Sequence, residues 1–426
     1  MGWACDTGKD EAIRISTNVH EILNDAIDEQ IKDELFHATD FQSLMYPCFT
    51  FSRIFGIFPY RINASTFETT KQSYFLTTFI TCVFCICELL LLYWIDITGT
   101  IDFSIMPITF ERNCFFILGG FIGIVTYILN GPRMRLLQNV MEISLGLSSD
   151  SYRKLSRLIH AKDIFGFFLF VIGRTTFYYY MVNLGIIDKI LILYIAFTVF
   201  QMDMLYINCV CVLKACFKKV NNDLENLRKL VVSDEPHLLR RIYHEQKNPF
   251  LLTKLKALKK EHLMISDTVQ MLNTTFSLQL LATIVMTFTE LTFYLYFYII
   301  WEINMTINHT LYDIYLIISL IYHCIKMSLM GWTCDTGKDE AIRIGINVHK
   351  ILNDTIDEQI KDELHLFSLQ VLNRENTFSA KGLILDTTLL VAIVSNITTY
   401  LLILLQFLIT NKVCNKKVTS TTISCK

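Results

Sequence analysis

The chain has 426 residues and a mean hydropathy of +0.40, and 52% of its residues are hydrophobic and 13% aromatic. This length would allow two or three soluble domains, but so apolar a composition is typical of a protein with several membrane-spanning segments. The formal net charge is −2 and the basic residues form no long block, so we expect no nucleic-acid partner. Cys82 and Cys85 have CxxC spacing, but the chain lacks the second pair that a zinc site needs.

Two stretches of the chain are near copies of each other. Residues 1–35 and 330–364 are identical at 30 of 35 positions. Because there are only two copies and the apolar region separates them, they do not form a solenoid. We interpret residues 1–36 as a duplicated segment that is either an extraneous exon or an additional amphipathic helix. Apolar residues follow a helical spacing in both copies: Ile15, Val19, Ile22, Leu23 and Ile31 in the first, and Ile344, Val348, Ile351, Leu352 and Ile360 in the second.

Seven apolar segments are long enough to cross a bilayer. They lie near 75–95, 113–130, 164–187, 190–213, 276–300, 311–329 and 385–410. Residues 37–74 precede them and are rich in aromatic side chains, but Pro47, Gly56 and Pro59 interrupt this segment. We expect a short helix or re-entrant segment there, which lies against the bundle without spanning it.

The distribution of lysine and arginine predicts the orientation of these spans. With a cytosolic N-terminus, the inside segments carry 31 of these residues and the outside segments 6, as the positive-inside rule requires. The C-terminus is then extracellular, although its tail is basic. Two sequons for N-glycosylation, at Asn304 and Asn308, lie in the short loop between spans five and six, which this topology places outside.

These assignments divide the chain into regions. Residues 75–329 carry the first six spans, and the charged segment 214–275 has leucines at helical spacing, which predicts that spans four and five continue as helices into the cytosol. We expect a cytosolic linker and anchor helix in 330–384, the seventh span in 385–410 and an extracellular tail in 411–426. The predicted fold is an all-α membrane protein of seven transmembrane helices.

We single out four ionisable residues within the predicted spans: Glu88, Arg174, Asp203 and Glu290. A charge in hydrocarbon costs roughly a few kcal/mol or more, so each should face the interior of the bundle. Aromatic walls with a few polar groups suit a small organic ligand. We therefore predict a ligand pocket open to the outside, lined by Glu88, Arg174, Tyr178, Tyr179, Tyr180, Glu290, Phe293, Tyr294 and Phe297. The alternative is a structural pair between Arg174 and a carboxylate among ordinary core aromatics.

No motif in the chain indicates an enzyme. The HExxH, P-loop and nucleophile-elbow patterns are absent, and so is a cysteine–histidine ligand set. We therefore predict no catalytic residues, no metal site and no cofactor. His237, His244 and His262 lie in the charged segment between spans four and five, and we interpret them as solvated or helix-face residues.

The last predicted span carries the most specific motif of the chain. Thr399 and Tyr400 are followed by five apolar residues and then by Gln406 and Phe407. This pattern resembles the TYhhhhhQF signature, in which h is hydrophobic, of insect gustatory receptors. The approach to the span, which includes the sequence FSLQVL beginning at Phe367, is similar to that family as well.

The resemblance is strongest from about 364 to 407 and elsewhere rests on helix count and spacing. It implies a ligand-gated, non-selective cation channel of seven-helix subunits, assembled as a homo- or hetero-tetramer with other gustatory receptors. It also implies a multi-pass protein of the plasma membrane whose partners are membrane lipid and a small-molecule tastant. Sugar receptors of the family usually have an acidic residue after the tyrosine, and Leu401 at that position argues against a sugar.

If four copies surround an axis, as the resemblance implies, one face of the last span lines the pore. Side chains three and four residues apart share a face of a helix. The predicted pore and gate residues are Leu402, Ile403, Gln406, Ile409 and Thr410, with Phe407 bordering the gate or contacting the neighbouring subunit. The alternative for Gln406 is a hydrogen bond between helices.

Another class of function stays open at this point, namely a seven-helix receptor that signals through a cytosolic partner, or a transporter. This class predicts an outside N-terminus or an inverted repeat of broken helices. Neither feature is evident in the sequence.

Overall fold

The computed structural model describes residues 38–63, 66–96, 106–180, 185–233, 249–304 and 310–423. Within these ranges the chain is almost entirely helical, with two short β-hairpins. The elements in chain order are α1 Phe41–Ile54, β1 Tyr60–Asn63, β2 Thr66–Thr69, α2 Lys71–Asp96, α3 Met106–Ile128, α4 Asn130–Ser144, α5 Ser149–Tyr180, α6 Ile186–Ser233, α7 Pro249–Asn304, α8 Thr310–Asp354, α9 Glu358–Asn373, β3 Ser379–Ala380, β4 Leu383–Ile384 and α10 Thr387–Ile423. The first copy of the duplicated segment lies outside the described residues.

Six of the described helices are long and apolar enough to cross a membrane, namely α2, α3, α6, α7, α8 and α10. They coincide with six of the seven predicted spans. The third predicted span corresponds to α5, which is 32 residues long and packs against α6 and α8 in the same bundle. Arg174 and three consecutive tyrosines at its end make α5 less apolar than the others. The prediction of a helical protein with several membrane spans is confirmed.

The helices differ in how far the bundle covers them. In the most apolar window of each helix, 78% of the residues are buried in α6 and in α7, against 17% in α2 and 11% in α10. A helix that is apolar all round is stable only inside a core or against lipid. The centre of the bundle is therefore α6 and α7, and much of the surface of α2 and α10 is left for lipid or another subunit to cover.

The chain ahead of α2 contains a short helix and a β-hairpin. Asp40 caps α1, since its Oδ1 accepts a hydrogen bond from the Ser43 amide at 2.7 Å. With 14 residues, α1 is shorter than a membrane span, and it packs against α4, α5 and α6. The antiparallel pairing of β1 with β2 was not predicted from the sequence.

Two contacts anchor this hairpin to the bundle. The Tyr60 hydroxyl donates a hydrogen bond to the carbonyl oxygen of Asn130 at the start of α4. The guanidinium of Arg133, which is fully buried, lies 5.8 Å from the ring centre of Phe58 and 5.2 Å from that of Phe276. Cation–π contacts of this kind are strongest where water is excluded, so Arg133 joins the residues just ahead of the hairpin to α4 and α7.

The second copy of the duplicated segment forms the end of α8 and the start of α9. The hydropathy falls after residue 329, but α8 continues without a break to Asp354. The reason is the apolar stripe identified in the sequence, since Ile344, Val348 and Ile351 are completely buried where α8 packs along α6. This burial stabilises the helix beyond the membrane, where propensity alone would be weak.

A tight turn leads the chain into α10. The strands β3 and β4 pair antiparallel, and the two residues between them, Lys381 and Gly382, have φ angles of 52° and 87°. A two-residue hairpin of this kind requires positive φ, which glycine adopts without steric cost. Asp386 then accepts a hydrogen bond from the Leu389 amide at 3.0 Å and caps the start of α10.

The helices α6 and α7 extend far beyond the bilayer. They have 48 and 56 residues, whereas a span needs about 20. Leu224 and Leu227 of α6 and Leu255 and Leu258 of α7 are all buried in this extension, because α6, α7, α8 and α9 pack together there.

His262, in the extension of α7, is not solvated as one of our two interpretations had it. Its side chain is completely buried, and its Nδ1 lies 3.0 Å from the Gln370 amide nitrogen. Burial, and secondarily the charge of Arg374, lowers the pKa of His262 to about 4, so the imidazole is neutral at physiological pH. His237 and His244 lie outside the described residues.

We expect deletion of residues 1–36 to leave surface expression and assembly intact, because the second copy already fills the position along α6. The measurement is surface biotinylation together with a native gel. A matched pair of substitutions provides the control: Val348→Asp puts a charge into the buried face of the second copy and should abolish assembly, whereas Val19→Asp at the equivalent position of the first copy should not. Loss of the oligomer on deletion would contradict this expectation.

Candidate ligand site and pore helix

A buried ion pair joins α6 to α8. Lys326 Nζ lies 3.2 Å from Asp203 Oδ2, and the two side chains are only 3% and 0% exposed. Asp203 is one of the ionisable residues singled out within the predicted spans, whereas Lys326, near the end of the sixth predicted span, was not singled out. The available signal was the lysine itself, which lies inside the apolar segment 311–329.

Glu290 pairs with His323, which was not among the residues predicted from the sequence. His323 Nε2 lies 3.2 Å from Glu290 Oε2, and both side chains are about 5% exposed. Arg174 is close enough to Glu290 to interact with it electrostatically, but it forms no ion pair within the described part of the chain. Its guanidinium lies instead over the rings of Phe170 and Phe115, at 5.8 and 6.0 Å.

The other carboxylates in this region lie on or against α3. Glu111 interacts electrostatically with both Glu290 and Arg174 and was not among the residues predicted from the sequence. Glu88 of α2 lies against Gly120, where a Cβ atom would come within 2.2 Å of its Oε2. Gly120 therefore makes room for the Glu88 carboxylate at the contact between α2 and α3. The residues that the structure brings together electrostatically are Arg174, Glu290, His323 and Glu111.

The predicted aromatic residues of α7 form a buried cluster with the start of α8. Its members are Phe293, Tyr294, Tyr296, Phe297, Tyr315 and Leu316. The Tyr315 hydroxyl donates to the Tyr294 hydroxyl at 2.8 Å, and the Tyr294 ring centre lies 6.3 Å from that of His323. The hydroxyl pair and the His323–Glu290 pair are thus adjacent.

Two partly buried residues of α10, Leu401 and Leu404, pack against this aromatic cluster. Leu401 and Leu404 are one helical turn apart and flank Leu402 and Ile403 in the chain. The cluster is therefore in direct contact with the helix that carries the predicted pore residues.

The remaining predicted site residues lie at the ends of helices. The Tyr178 hydroxyl donates to the carbonyl oxygen of Lys189 at 2.9 Å and so bridges the end of α5 and the start of α6. Tyr179 and Tyr180 are the last residues of α5, and their side chains are outside the described part. Asn304 is the last residue of α7, and Asn308 lies outside the described residues.

The signature residues of α10 lie on its uncovered surface. Tyr400 is 53% exposed, although its ring contacts Phe288 edge-on at 5.7 Å, and Phe407 is 66% exposed. All five residues of the predicted pore stripe are exposed: Leu402, Ile403, Gln406, Ile409 and Thr410. Within the described part of the chain, the Gln406 side chain has no hydrogen-bond partner.

A comparison with known families decides the identity of this helical bundle. The sequence model of the 7tm chemosensory receptor family matches residues 45–411, which is most of the chain. The chain belongs to this family. Receptors of this kind are not enzymes, and the prediction that the protein is not an enzyme is confirmed.

The receptor is similar in sequence to gustatory receptors of Drosophila melanogaster. It is 48% identical to gustatory receptor 28a over 65 residues, and 44% identical to gustatory receptor 28b over 61 residues. These matches span only 14% and 13% of the length of the two relatives. The resemblance to gustatory receptors predicted from the last span is confirmed by these relatives together with the family model over residues 45–411.

The fold of the receptor is similar to that of an insect olfactory receptor, OR5 from Machilis hrabei. The TM-score is 0.66, at 11% sequence identity, over 86% of this chain and 98% of that one. A second structure of OR5, in complex with eugenol, matches with a TM-score of 0.61 over the same shares of the two chains and at the same identity. Identity this low shows a shared fold alone.

Proposed function

We propose that this receptor is a subunit of a ligand-gated, non-selective cation channel that detects a small-molecule tastant at the plasma membrane. The observation that carries the proposal is the exposure of α10. Its most apolar window is only 11% buried, and among its exposed residues are Asn396, Thr399, Gln406 and Thr410. Polar side chains on a membrane helix are costly against lipid and common against protein or water.

Four copies of α10 around an axis would cover this surface. The stripe from Leu402 to Thr410 is apolar except for Gln406 and Thr410, so Ile403 and its apolar neighbours can close a path by dewetting. A ring of four Gln406 amides would offer carbonyl oxygens to a partly hydrated cation. Because the ring is neutral, it would discriminate weakly among cations.

The ligand site that we propose is the aromatic region of α7 and α8, with Arg174 and Glu290 beside it. The related olfactory receptor has been determined in complex with eugenol, a small aromatic molecule, and a site of this composition suits such a ligand. Because Leu401 and Leu404 contact the aromatic cluster, a ligand that displaces its rings would also move α10. This contact provides a physical route from ligand binding to the gate.

Recording from excised patches tests the channel proposal directly. A current evoked by a tastant panel in patches without cytosolic factors would support it. A response that requires cytosol or a nucleotide would indicate signalling through a partner and would contradict it.

Glu290→Gln should shift the ligand concentration for half-maximal current by roughly tenfold, the equivalent of about 1.4 kcal/mol. The amide keeps the shape of the carboxylate and can still accept a hydrogen bond from His323, but the charge beside Arg174 is lost. Maximal current should stay about the same, because a pocket residue acts on binding. Glu142→Gln, at an exposed position on α4, is the control. Equal loss of surface protein in Glu290→Gln and Arg174→Gln would instead indicate a structural role.

The orientation with a cytosolic N-terminus is also a proposal, supported by the distribution of basic residues and by the position of the two sequons. An epitope placed after Lys426 should stain cells that have not been permeabilised, and an N-terminal epitope should not. Enzymatic removal of N-linked glycans should shift the wild-type band but not the band of the Asn304→Gln, Asn308→Gln variant. Staining of the N-terminal epitope on intact cells would reverse the assignment.

A further inference from the structure

A cleft with a volume of about 480 Å³ lies between the end of α6 and α8, in the part of the bundle beyond the membrane. It is lined by Leu224, Glu225, Arg228, Lys229 and Val232 of α6 and by Asn347 and Lys350 of α8. Arg228 is fifteen residues past the end of the predicted fourth span, about 22 Å at the rise of an α-helix. Lipid headgroups do not reach this depth, so the bilayer does not cover the cleft.

The cleft combines unpaired cations with uncovered apolar side chains. The Nε of Arg228 lies 2.5 Å from the Asp354 carboxylate, but Lys229 and Lys350 form no ion pair within the described part of the chain. Of the apolar residues that line the cleft, Val232 is 46% exposed. Ile346, one turn from Lys350 on the same face of α8, lies beside the cleft and is 51% exposed. A surface of this kind fits an amphipathic helix with acidic side chains.

The first copy of the duplicated segment has this chemistry. Residues 1–36 contain nine carboxylates against three lysines and arginines. Ile15, Val19 and Ile22 have the spacing of one helical face. The first copy lies outside the described residues. The second copy forms part of the cleft through Asn347 and Lys350.

The differences between the two copies leave the packing face intact. Two of the five fall on Thr333 and Thr355, which are buried in the second copy at 2% and 6% exposure, and the first copy has the smaller alanine at both. The other three differences fall on partly or fully exposed positions of the second copy. Gly345 corresponds to Ser16 of the first copy, Ile346 to Thr17 and Lys350 to Glu21. The first copy therefore retains every apolar side chain that the second copy buries, and its one change of charge replaces a lysine by a glutamate.

The chain between the first copy and α1 is long enough to reach a neighbouring surface. An extended chain covers about 3.3 Å per residue, so the eight residues between Ile31 and Asp40 cover about 26 Å. The packing of α1 against α6 keeps the start of the described chain on the helix that carries Leu224, Arg228 and Val232 of the cleft.

We propose that residues 1–36 dock on this cleft as an amphipathic helix, with Glu21 facing Lys229 and Lys350. The proposal goes beyond the channel function and does not depend on it. It is compatible with deletion of the segment leaving assembly intact, because a docked helix covers a surface that is already folded. The rival occupants are a soluble polyphosphate and a neighbouring subunit.

Disulfide trapping in the full-length chain tests the docking. Glu21→Cys combined with Lys350→Cys, in a Cys5→Ser background, should form a cross-link at least tenfold more than Glu21→Cys combined with Lys256→Cys. Lys256 is an exposed lysine on α7 that does not line the cleft. Equal yields would overturn the proposal. A cross-link found only between differently tagged chains, each with one of the two cysteines, would show an interface between subunits and would also overturn it.

Tryptic cleavage after Arg14, followed through an N-terminal tag, gives a second measurement on the assembled full-length protein. The Lys229→Glu, Lys350→Glu variant should be cleaved about fivefold faster than wild type, and Lys256→Glu at the wild-type rate. Size-exclusion chromatography confirms that each variant is assembled. Equal rates in all three proteins would overturn the proposal, and so would protection of wild type that requires added inositol hexakisphosphate.

Discussion

Gln406→Glu should raise the permeability of the channel to calcium relative to sodium on the order of tenfold. The substitution would place up to four carboxylates around a narrow path. Two unit charges 4 Å apart attract by about 4 kcal/mol at an effective dielectric constant near 20, and a divalent ion doubles that attraction. A net preference of about 1.4 kcal/mol for calcium over sodium is a tenfold effect. A ring of carboxylates is therefore sufficient to produce the expected change even if water weakens its attraction strongly. Gln406→Arg should suppress cation current.

Reversal potentials in sodium and calcium solutions, measured at equal surface expression, decide this prediction. Asn396→Asp is the matched control, because it adds the same charge to the same helix about 80° away around its axis. Its selectivity should be that of wild type. If channels with Gln406→Glu conduct with unchanged selectivity, the side chain does not line the pore. Reduced assembly in place of altered selectivity would indicate that Gln406 makes a hydrogen bond between helices.

Lys326→Met should destabilise the folded protein by about 3–5 kcal/mol, because it leaves the Asp203 carboxylate buried without its partner. The side chain of Asp203 is completely inaccessible and that of Lys326 only 3% exposed, so water cannot replace the lost charge. The measurement is the temperature at which the detergent-solubilised oligomer disappears from size-exclusion chromatography. A double variant, Asp203→Asn with Lys326→Met, should recover most of the loss, since neither charge is then left unpaired.

An exposed ion pair supplies the comparison. Arg153 and Asp150 on α5 are 2.7 Å apart with side chains 45% and 53% exposed, and pairs of this kind contribute about 0–1 kcal/mol. Asp150→Asn should therefore leave the temperature at which the oligomer disappears nearly unchanged. If Lys326→Met has as small an effect as Asp150→Asn, the pair between α6 and α8 is accessible to water and does not hold the two helices together.

The spans could be predicted from the sequence because a bilayer imposes a local rule. Each crossing needs about twenty apolar residues whose backbone groups are satisfied within the helix, and that requirement can be read from a short window of sequence. The first hairpin could not be predicted in the same way. Its strands have four residues each, and they are held by partners more than sixty residues away, such as Gln138, whose Oε1 accepts from the Phe67 amide at 3.1 Å.

The residues of the candidate site also divide into those that a short stretch of sequence predicts and those that depend on distant contacts. Glu290, Tyr294 and Phe297 were identified from their position within an apolar segment, but His323 was not, because its role follows from facing Glu290 across two helices. The continuation of α8 beyond residue 329 was missed for a related reason. A fall in hydropathy marks the end of the bilayer, whereas a helix ends only where its packing face ends, and here that face continues to Asp354.

The sequence by itself determined the class of protein, the family and the positions of the six long apolar helices, since membrane insertion and the signature at Thr399–Phe407 depend on residues close together in the chain. Only the tertiary structure decided which charges meet. Helices of similar composition can rotate about their axes, and the pairing of Asp203 with Lys326 and of Glu290 with His323 follows from how α6, α7 and α8 are turned toward one another. The same packing left α10 uncovered, because the rest of the chain buries its apolar surface against α6 and α7.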